Sequence, residues 1–243
     1  MKENPGRKCV KVAGEIDTSR DLTQIGASSD YAKHIGRLFK ELRPHMIIET
    51  GTYLGLGSTT IIASTIKELA IEDCVFYSIE VNPHHHKIAV ENLTKNGLID
   101  LVTPVNGLSL PRNLLPDIDE IEDRFVRNLE FGDIFVDHKE EERARLYFQE
   151  ANFEGVPDDL LGKYLSEFDY KPDFLMLDSA GHLGFIEFNY VVSMLKGPCV
   201  FALDDVYHVK HYKSFLAVRS DKRFEIIMES KEKFGFCTVR FSP

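Results

Sequence analysis

The sequence predicts an α/β fold: a mostly parallel sheet with helices on both faces and an antiparallel end. Three observations carry that expectation. From residue 46 onward, short apolar runs alternate with helical stretches, the pattern of strand–helix units feeding a parallel sheet. A glycine-rich turn, Gly51-Thr-Tyr-Leu-Gly55-Leu-Gly57, joins the first apolar run directly to a helical stretch. The chain closes with two strand-like runs around the polar turn Ser230-Lys-Glu-Lys233, which reads as an antiparallel hairpin.

Strands are expected at Met46–Thr50, Val75–Val81, Val102–Val105, Phe174–Leu177 and Val200–Leu203, with the hairpin at Phe224–Met228 and Phe234–Phe241. Helices are expected over Ser58–Leu69, Pro83–Lys95 and Phe185–Leu195, each with an apolar stripe. Before the first strand, Tyr31, Ile35, Leu38, Phe39 and Leu42 fall on one helical face, and Pro44 ends that helix. The first thirty residues read as a polar arm. The domain plan is therefore an N-terminal arm and helix over 1–44, then one domain over 45–243 with a helical insertion at about 111–170. That insertion carries three helical patterns where one crossover helix would suffice, set by Ile118/Ile121/Phe125/Leu129, by Leu146/Tyr147/Phe148 and by Leu160/Leu161/Tyr164/Leu165/Phe168. It is read as a cap or as an association surface, the latter implying a homodimer.

Composition bounds the function. The 243 residues are 43% hydrophobic, enough for one large core, and the formal charge of −10 leaves no basic surplus for a phosphate backbone. Nucleic acid is not an expected partner. No apolar stretch approaches the roughly 20 residues of a membrane helix, and no signal-peptide core follows Met1, so neither membrane nor export is expected and the location is read as cytoplasmic. Cys9, Cys74, Cys199 and Cys237 lack metal-site spacing and are read as buried thiols. His84, His85 and His86 point in three directions on one helical turn, and Lys139-Glu-Glu-Glu-Arg143 reads as an exposed helix face.

The candidate site starts at Ile48-Glu49-Thr50-Gly51. Glycines between strand and helix let the backbone approach a ligand, and the helix N-terminus offers free N–H groups and partial positive charge. Glu80 ends the next strand, where an acid can bind both hydroxyls of a ribose, and Asn82 caps the helix opened by Pro83. The glycine spacing is G-x-x-x-G-x-G, unlike the G-x-G-x-x-G of dinucleotide sites. Glu49, two residues ahead of Gly51, would repel a pyrophosphate and suits a ligand with an ammonium group.

On these residues the chain resembles the class I S-adenosylmethionine (SAM) dependent methyltransferases, and within them is similar to catechol-type, metal-dependent O-methyltransferases. Glu49-Thr-Gly51-Thr-Tyr-Leu-Gly55 resembles the first motif of that family, Ser78-Ile-Glu80-Val-Asn-Pro83 the second, and Gly107-Leu-Ser109 the G-x-S beside the adenine. The resemblance implies a Rossmann-like fold of seven strands with the last antiparallel. It also implies a SAM site of Glu49, Gly51, Thr52, Tyr53, Gly55, Ser58, Glu80, Val81, Ser109 and Asp178. Asp178, Asp204 and Asp205 match the family's ligands for a divalent cation such as Mg²⁺, which would hold the hydroxyl of a small-molecule acceptor. Asp205 has a simpler alternative role, capping the helical stretch around Val209–Val218.

Two departures stand out. Gly57-Ser58 lengthens the first loop by one residue, and the family's catalytic lysine, three residues after the first metal-binding aspartate, is Gly181 here. His182 and His208 stand nearby, either able to serve as general base or metal ligand. His182 is the preferred catalytic residue with Asp178, its alternative being a cap for the helix near Phe185. The expected activity is metal-assisted methyl transfer to oxygen. The alternatives are a metal-independent methyltransferase, an NAD-dependent oxidoreductase and a non-catalytic SAM-binding module.

Overall fold

The computed structural model describes Gly26 and residues 28–129 and 134–243. The polar arm, with Cys9, lies almost wholly outside the described residues. Seven strands form one sheet in the order β3-β2-β1-β4-β5-β7-β6. They are β1 (Met46–Thr50), β2 (Val75–Glu80), β3 (Thr103–Asn106), β4 (Phe174–Leu177), β5 (Cys199–Asp204), β6 (Phe224–Ser230) and β7 (Phe236–Phe241). The first five run parallel; β7 is antiparallel to both β5 and β6. The predicted strands are all present, and the hairpin closes the sheet as its polar turn implied.

Eight α-helices accompany the sheet among the described residues: α1 (Asp30–Leu42), α2 (Ser58–Glu68), α3 (Pro83–Lys95), α4 (Ile118–Glu122), α5 (Glu140–Ala151), α6 (Leu160–Glu167), α7 (Gly184–Met194) and α8 (Tyr212–Ser220). Their ends follow ordinary chemistry. The Ser29 hydroxyl accepts from the Ala32 N–H at the start of α1, and Asn82 caps α3 just before Pro83. None of these helices is long and apolar enough to cross a membrane.

The central strand β4, Phe-Leu-Met-Leu, is fully buried because both sheet faces are covered. Strand alternation splits its neighbours between two cores. Ile47, Phe174, Met176, Val200 and Ala202 pack with α1 and α2, whereas Ile48, Leu175, Leu177, Phe201 and Leu203 pack with α6, α7 and α8. The insertion therefore does two jobs. Its last helix, α6, belongs to the main core through Leu160, Leu161, Tyr164 and Leu165. Its earlier part, α4 and α5, forms a small separate cluster of Ile121, Ala144, Tyr147 and Val209.

The acidic stretch differs from expectation at one end. Glu140, Glu141 and Glu142 are exposed, but Arg143 turns inward and donates to the carbonyls of Phe125, Asp137 and His138. A guanidinium carries five donors, so one buried arginine can tie three separated carbonyls of the insertion together. Cys199 and Cys237 are buried and Cys74 is half-buried, and none of the three forms a disulfide among the described residues.

Because Leu161 is wholly buried in the main core, Leu161→Ala is expected to cost about 2–5 kcal/mol in urea denaturation. A loss near zero would show that α6 is dispensable to the sheet.

Candidate functional site

The strand order reverses direction between β1 and β4, and in open parallel sheets a ligand crevice forms there at the carboxyl ends. The loop after β1 and the tip of β4 meet at that point. Gly51 has φ +82, and a Cβ built on it would lie 2.0 Å from the Asp178 carbonyl oxygen. Only glycine allows this approach. Gly55, at φ +69, lets the same loop lie on Ala89 of α3, and Tyr53 itself sits at φ +50.

Acidic side chains line this edge, and each is offset differently. Glu49 is fully buried; its Oε2 accepts from the Thr59 and Ser78 hydroxyls, both at 2.6 Å, with Ser58 close by, while its Oε1 has no partner of good geometry among the described residues. Burial pushes its pKa from 4.5 up to about 7. Thr52 bonds Ser78 at 2.6 Å, extending the same hydroxyl cluster. Glu80 accepts from the Tyr53 N–H at 2.7 Å and the Asn82 N–H at 2.9 Å, and burial raises it also to about 7. Each carboxylate oxygen accepts more than one bond, so Glu80 keeps capacity for a ligand. His85 lies 3.9 Å from it and packs edge-on against the Tyr53 ring.

These groups fit the adenosine and amino-acid ends of SAM. The buried, unpartnered Glu49 Oε1 is an acceptor awaiting a donor, and the N-terminus of α2 beside Ser58 has no side-chain cap. Val81 follows Glu80 and is half-buried, its carbonyl accepting from Asn106 Nδ2. The Ser109 hydroxyl donates to the buried Glu187 of α7. Glu187 also takes the hydroxyls of Ser179 at 2.6 Å and Thr50 at 3.0 Å, pinning the loops after β1, β3 and β4 to one carboxyl group.

Asp178, Asp204 and Asp205 come together at the tips of β4 and β5, their oxygens within 4.8 Å of one another. The sequence expectation that they converge is met. The space among them, however, is taken by Lys210, whose Nζ stands 2.5 Å from Asp178 and 2.7 Å from Asp205. An ammonium and a divalent cation cannot share that position, so with Lys210 in place the residues do not fit the Mg²⁺ that the resemblance implied. Burial raises Asp178 to about 6 against the pull of Lys210, and burial with the neighbouring Asp205 and Asp178 holds Asp204 well above the usual carboxylate range. Burial works upward on Asp205 too, but Lys210 brings it below that range. Asp205 caps nothing: α8 begins at Tyr212 behind His211, without a side-chain cap.

The insertion closes over this cluster. Phe135 pairs with the loop after β5, its N–H donating to the Tyr207 carbonyl and its carbonyl accepting from the Val209 N–H. That pairing sets Asp137 2.8 Å from His208. A side chain at Gly181 would meet the Tyr147 hydroxyl at 3.2 Å and both Asp137 and His208 at 3.3 Å, so the insertion walls off that position. His182 stacks on Tyr147 with ring centroids 5.5 Å apart, and its Nδ1 is buried without a partner. Leu183, not His182, precedes α7, with no side-chain cap, so His182 is no helix cap. Burial lowers its pKa to about 4. It lines a cavity of about 200 Å³ with Arg112, Leu115, Phe148 and Asn152.

Sequence reasoning singled out neither Lys210 nor Glu187 nor Asp137. Glu187 alone had a usable signal, as the one acid inside the apolar run Phe185–Val192.

No family model matches the chain, and no curated protein matches it. Solved structures do. An O-methyltransferase from Bacillus cereus in complex with SAH shares 14% identity at a TM-score of 0.54, over 89% of this chain and 83% of that one. The O-methyltransferase TomG from Streptomyces achromogenes, involved in tomaymycin synthesis and solved with SAM, shares 14% at 0.51 over 90% and 82%. A methyltransferase from Geobacter sulfurreducens shares 12% at 0.53 over 89% and 81%. At such identity the likeness establishes the fold, which is that of these methyltransferases.

Glu49 should leave a mark on stability against pH. Its carboxyl titrates near 4.5 when unfolded and near 7 when folded. Below pH 4.5 both states hold the proton; as pH rises from 4.5 to 7 only the unfolded chain releases it, so stability falls by up to about 3 kcal/mol and then levels off. Urea denaturation between pH 4.5 and about 8 should show a flatter profile for Glu49→Gln than for the unaltered chain. Parallel profiles would refute the buried, proton-holding state of Glu49.

Proposed function

We propose that this chain is a SAM-dependent methyltransferase acting on an oxygen of a small acceptor. The observation that carries this reading is the crevice at the β1–β4 reversal, with a buried acid bearing a free oxygen at one end and a strand-tip acid at the other. The shared fold supports it, since two of the matched methyltransferases were solved with SAH or SAM.

Glu80 would accept the ribose hydroxyls, and Glu49 with the N-terminus of α2 would meet the amino-acid end. When bound, SAM supplies a methyl group on a positively charged sulfur, which an electron-rich oxygen can take. The acceptor would enter from the side of the insertion, where the cavity of about 200 Å³ beside His182 is lined by Leu115, Phe148 and Ala151 together with Arg112 and Asn152. A neutral imidazole accepts a hydrogen bond on its unprotonated nitrogen, so His182, which lines this cavity, would orient the acceptor oxygen and take its proton. Its low pKa makes positioning the larger part of that role. The formal charge of −10 and the apolar cavity wall favour a small molecule over a nucleic acid as acceptor.

A thermal-shift panel tests the cofactor: SAM and its demethylated product should raise the melting temperature and NAD should not. Glu80→Ala should weaken SAM binding by about tenfold to a hundredfold, roughly 1.4–2.7 kcal/mol. Stabilisation by NAD alone would replace this reading with an oxidoreductase. With an acceptor in hand, His182→Ala should lower turnover by about tenfold or more while leaving SAM affinity unchanged. A fall in SAM affinity instead would move His182 to the cofactor side.

A further inference from the structure

Three carboxylates on two adjacent strand tips would ordinarily require an external cation, and here one is built into the chain. Asp178 ends β4, while Asp204 and Asp205 end β5, and strand pairing fixes both tips side by side. Asp205 adopts φ +58, a conformation uncommon for a residue other than glycine, and the chain doubles back after it. Its carbonyl accepts from the His208 N–H at 3.0 Å, and the Lys210 N–H donates to His208 Nδ1 at 3.1 Å. This turn returns Lys210 to the acids it has just passed.

We propose that the Lys210 ammonium is the resident cation of this cluster, standing where a divalent metal would otherwise bind, so that the site works without metal. Its Nζ lies 2.5 Å from Asp178 and 2.7 Å from Asp205. A lysine side chain is a compact point charge with three donors, suited to sit between two carboxylates as a small ion does. Lys210 stands between Asp178 and Asp205, with Asp204 beside them and Lys233 adding positive potential. A divalent ion added to this set would have to expel Lys210 into a wall that leaves its side chain only 11% exposed.

The consequence for catalysis rests on the proposed methyl transfer: a fixed ammonium beside the acceptor oxygen would favour its oxyanion form, the service a metal ion performs elsewhere. The cation claim itself is independent of SAM, and its test uses none. Mn²⁺ binding is followed by the loss of the free-ion paramagnetic resonance signal in the full chain. The unaltered protein should show no saturable uptake at about 1 mM Mn²⁺. Lys210→Ala, which leaves three unbalanced acids, should take up one ion per chain at least about tenfold more tightly, and adding Asp178→Asn should abolish that uptake.

Lys210→Met, similar in length and apolar, substitutes if the alanine variant fails to fold. One tightly held Mn²⁺ in the unaltered protein, lost in Asp178→Asn, would overturn the proposal. So would a folded Lys210 variant that takes up no ion, because a cluster with no room for a metal gives Lys210 no metal's place to hold. Absence of SAM binding in the thermal-shift panel would sink the methyltransferase reading and leave this result standing.

Discussion

Burying an unpaired carboxylate is among the costliest things a folded chain can do, and this protein gathers six acids at one sheet edge. Everything else at that edge is arranged around their compensation. Glu187 is given three hydroxyls, from Thr50, Ser109 and Ser179. Glu80 takes two backbone N–H groups. Glu49 takes two hydroxyls on one oxygen and leaves the other bare. Asp178 and Asp205, at the tips of β4 and β5, share a lysine. In every case but that of Glu49, the carboxyl group has a partner within the chain for each oxygen or a cation beside it. The incomplete one, at Glu49, faces the glycine loop, and a bare buried acceptor next to a cradle is where a ligand has most to contribute.

The order of the strands explains why the compensation can serve chemistry. A parallel sheet that reverses its winding between β1 and β4 must leave a crevice there, because the connecting helices diverge to opposite faces. Gly51 narrows that crevice until the β1 loop touches the Asp178 carbonyl. The β1 loop and the acidic cluster therefore meet across one residue pair. A shift of Asp178 would be felt by both, and Lys210 is anchored to that same aspartate.

Much of this was legible beforehand. β1 and β4 fall on their predicted residues because a fully buried parallel strand is a short apolar run with no ambiguity of period. α3 is legible at its start from Asn82-Pro83. The acidic trio was legible too, since residues at adjacent strand tips are neighbours by construction. Lys210 was not. Its place depends on a turn at Asp205 with positive φ, and a lysine five residues past an acidic pair looks like any exposed lysine of a loop. Asp137 was equally hidden, because its meeting with His208 comes from a two-bond pairing between Phe135 and a loop more than seventy residues away.

The insertion shows why the cofactor side is readable from sequence and the acceptor side is not. A cofactor loop is local: glycines, an acid and a helix start, all within a dozen residues, each with a fixed physical task. The wall beside His182 is assembled from segments with no local constraint linking them. Phe148 comes from α5, His182 from the turn before α7, and Arg112 from the stretch after β3. The small cluster of Ile121, Ala144, Tyr147 and Val209 in the insertion is separate from the main core. α6 ties the insertion to the sheet, so the cap is anchored at its far end while α4 and α5 pack chiefly on each other.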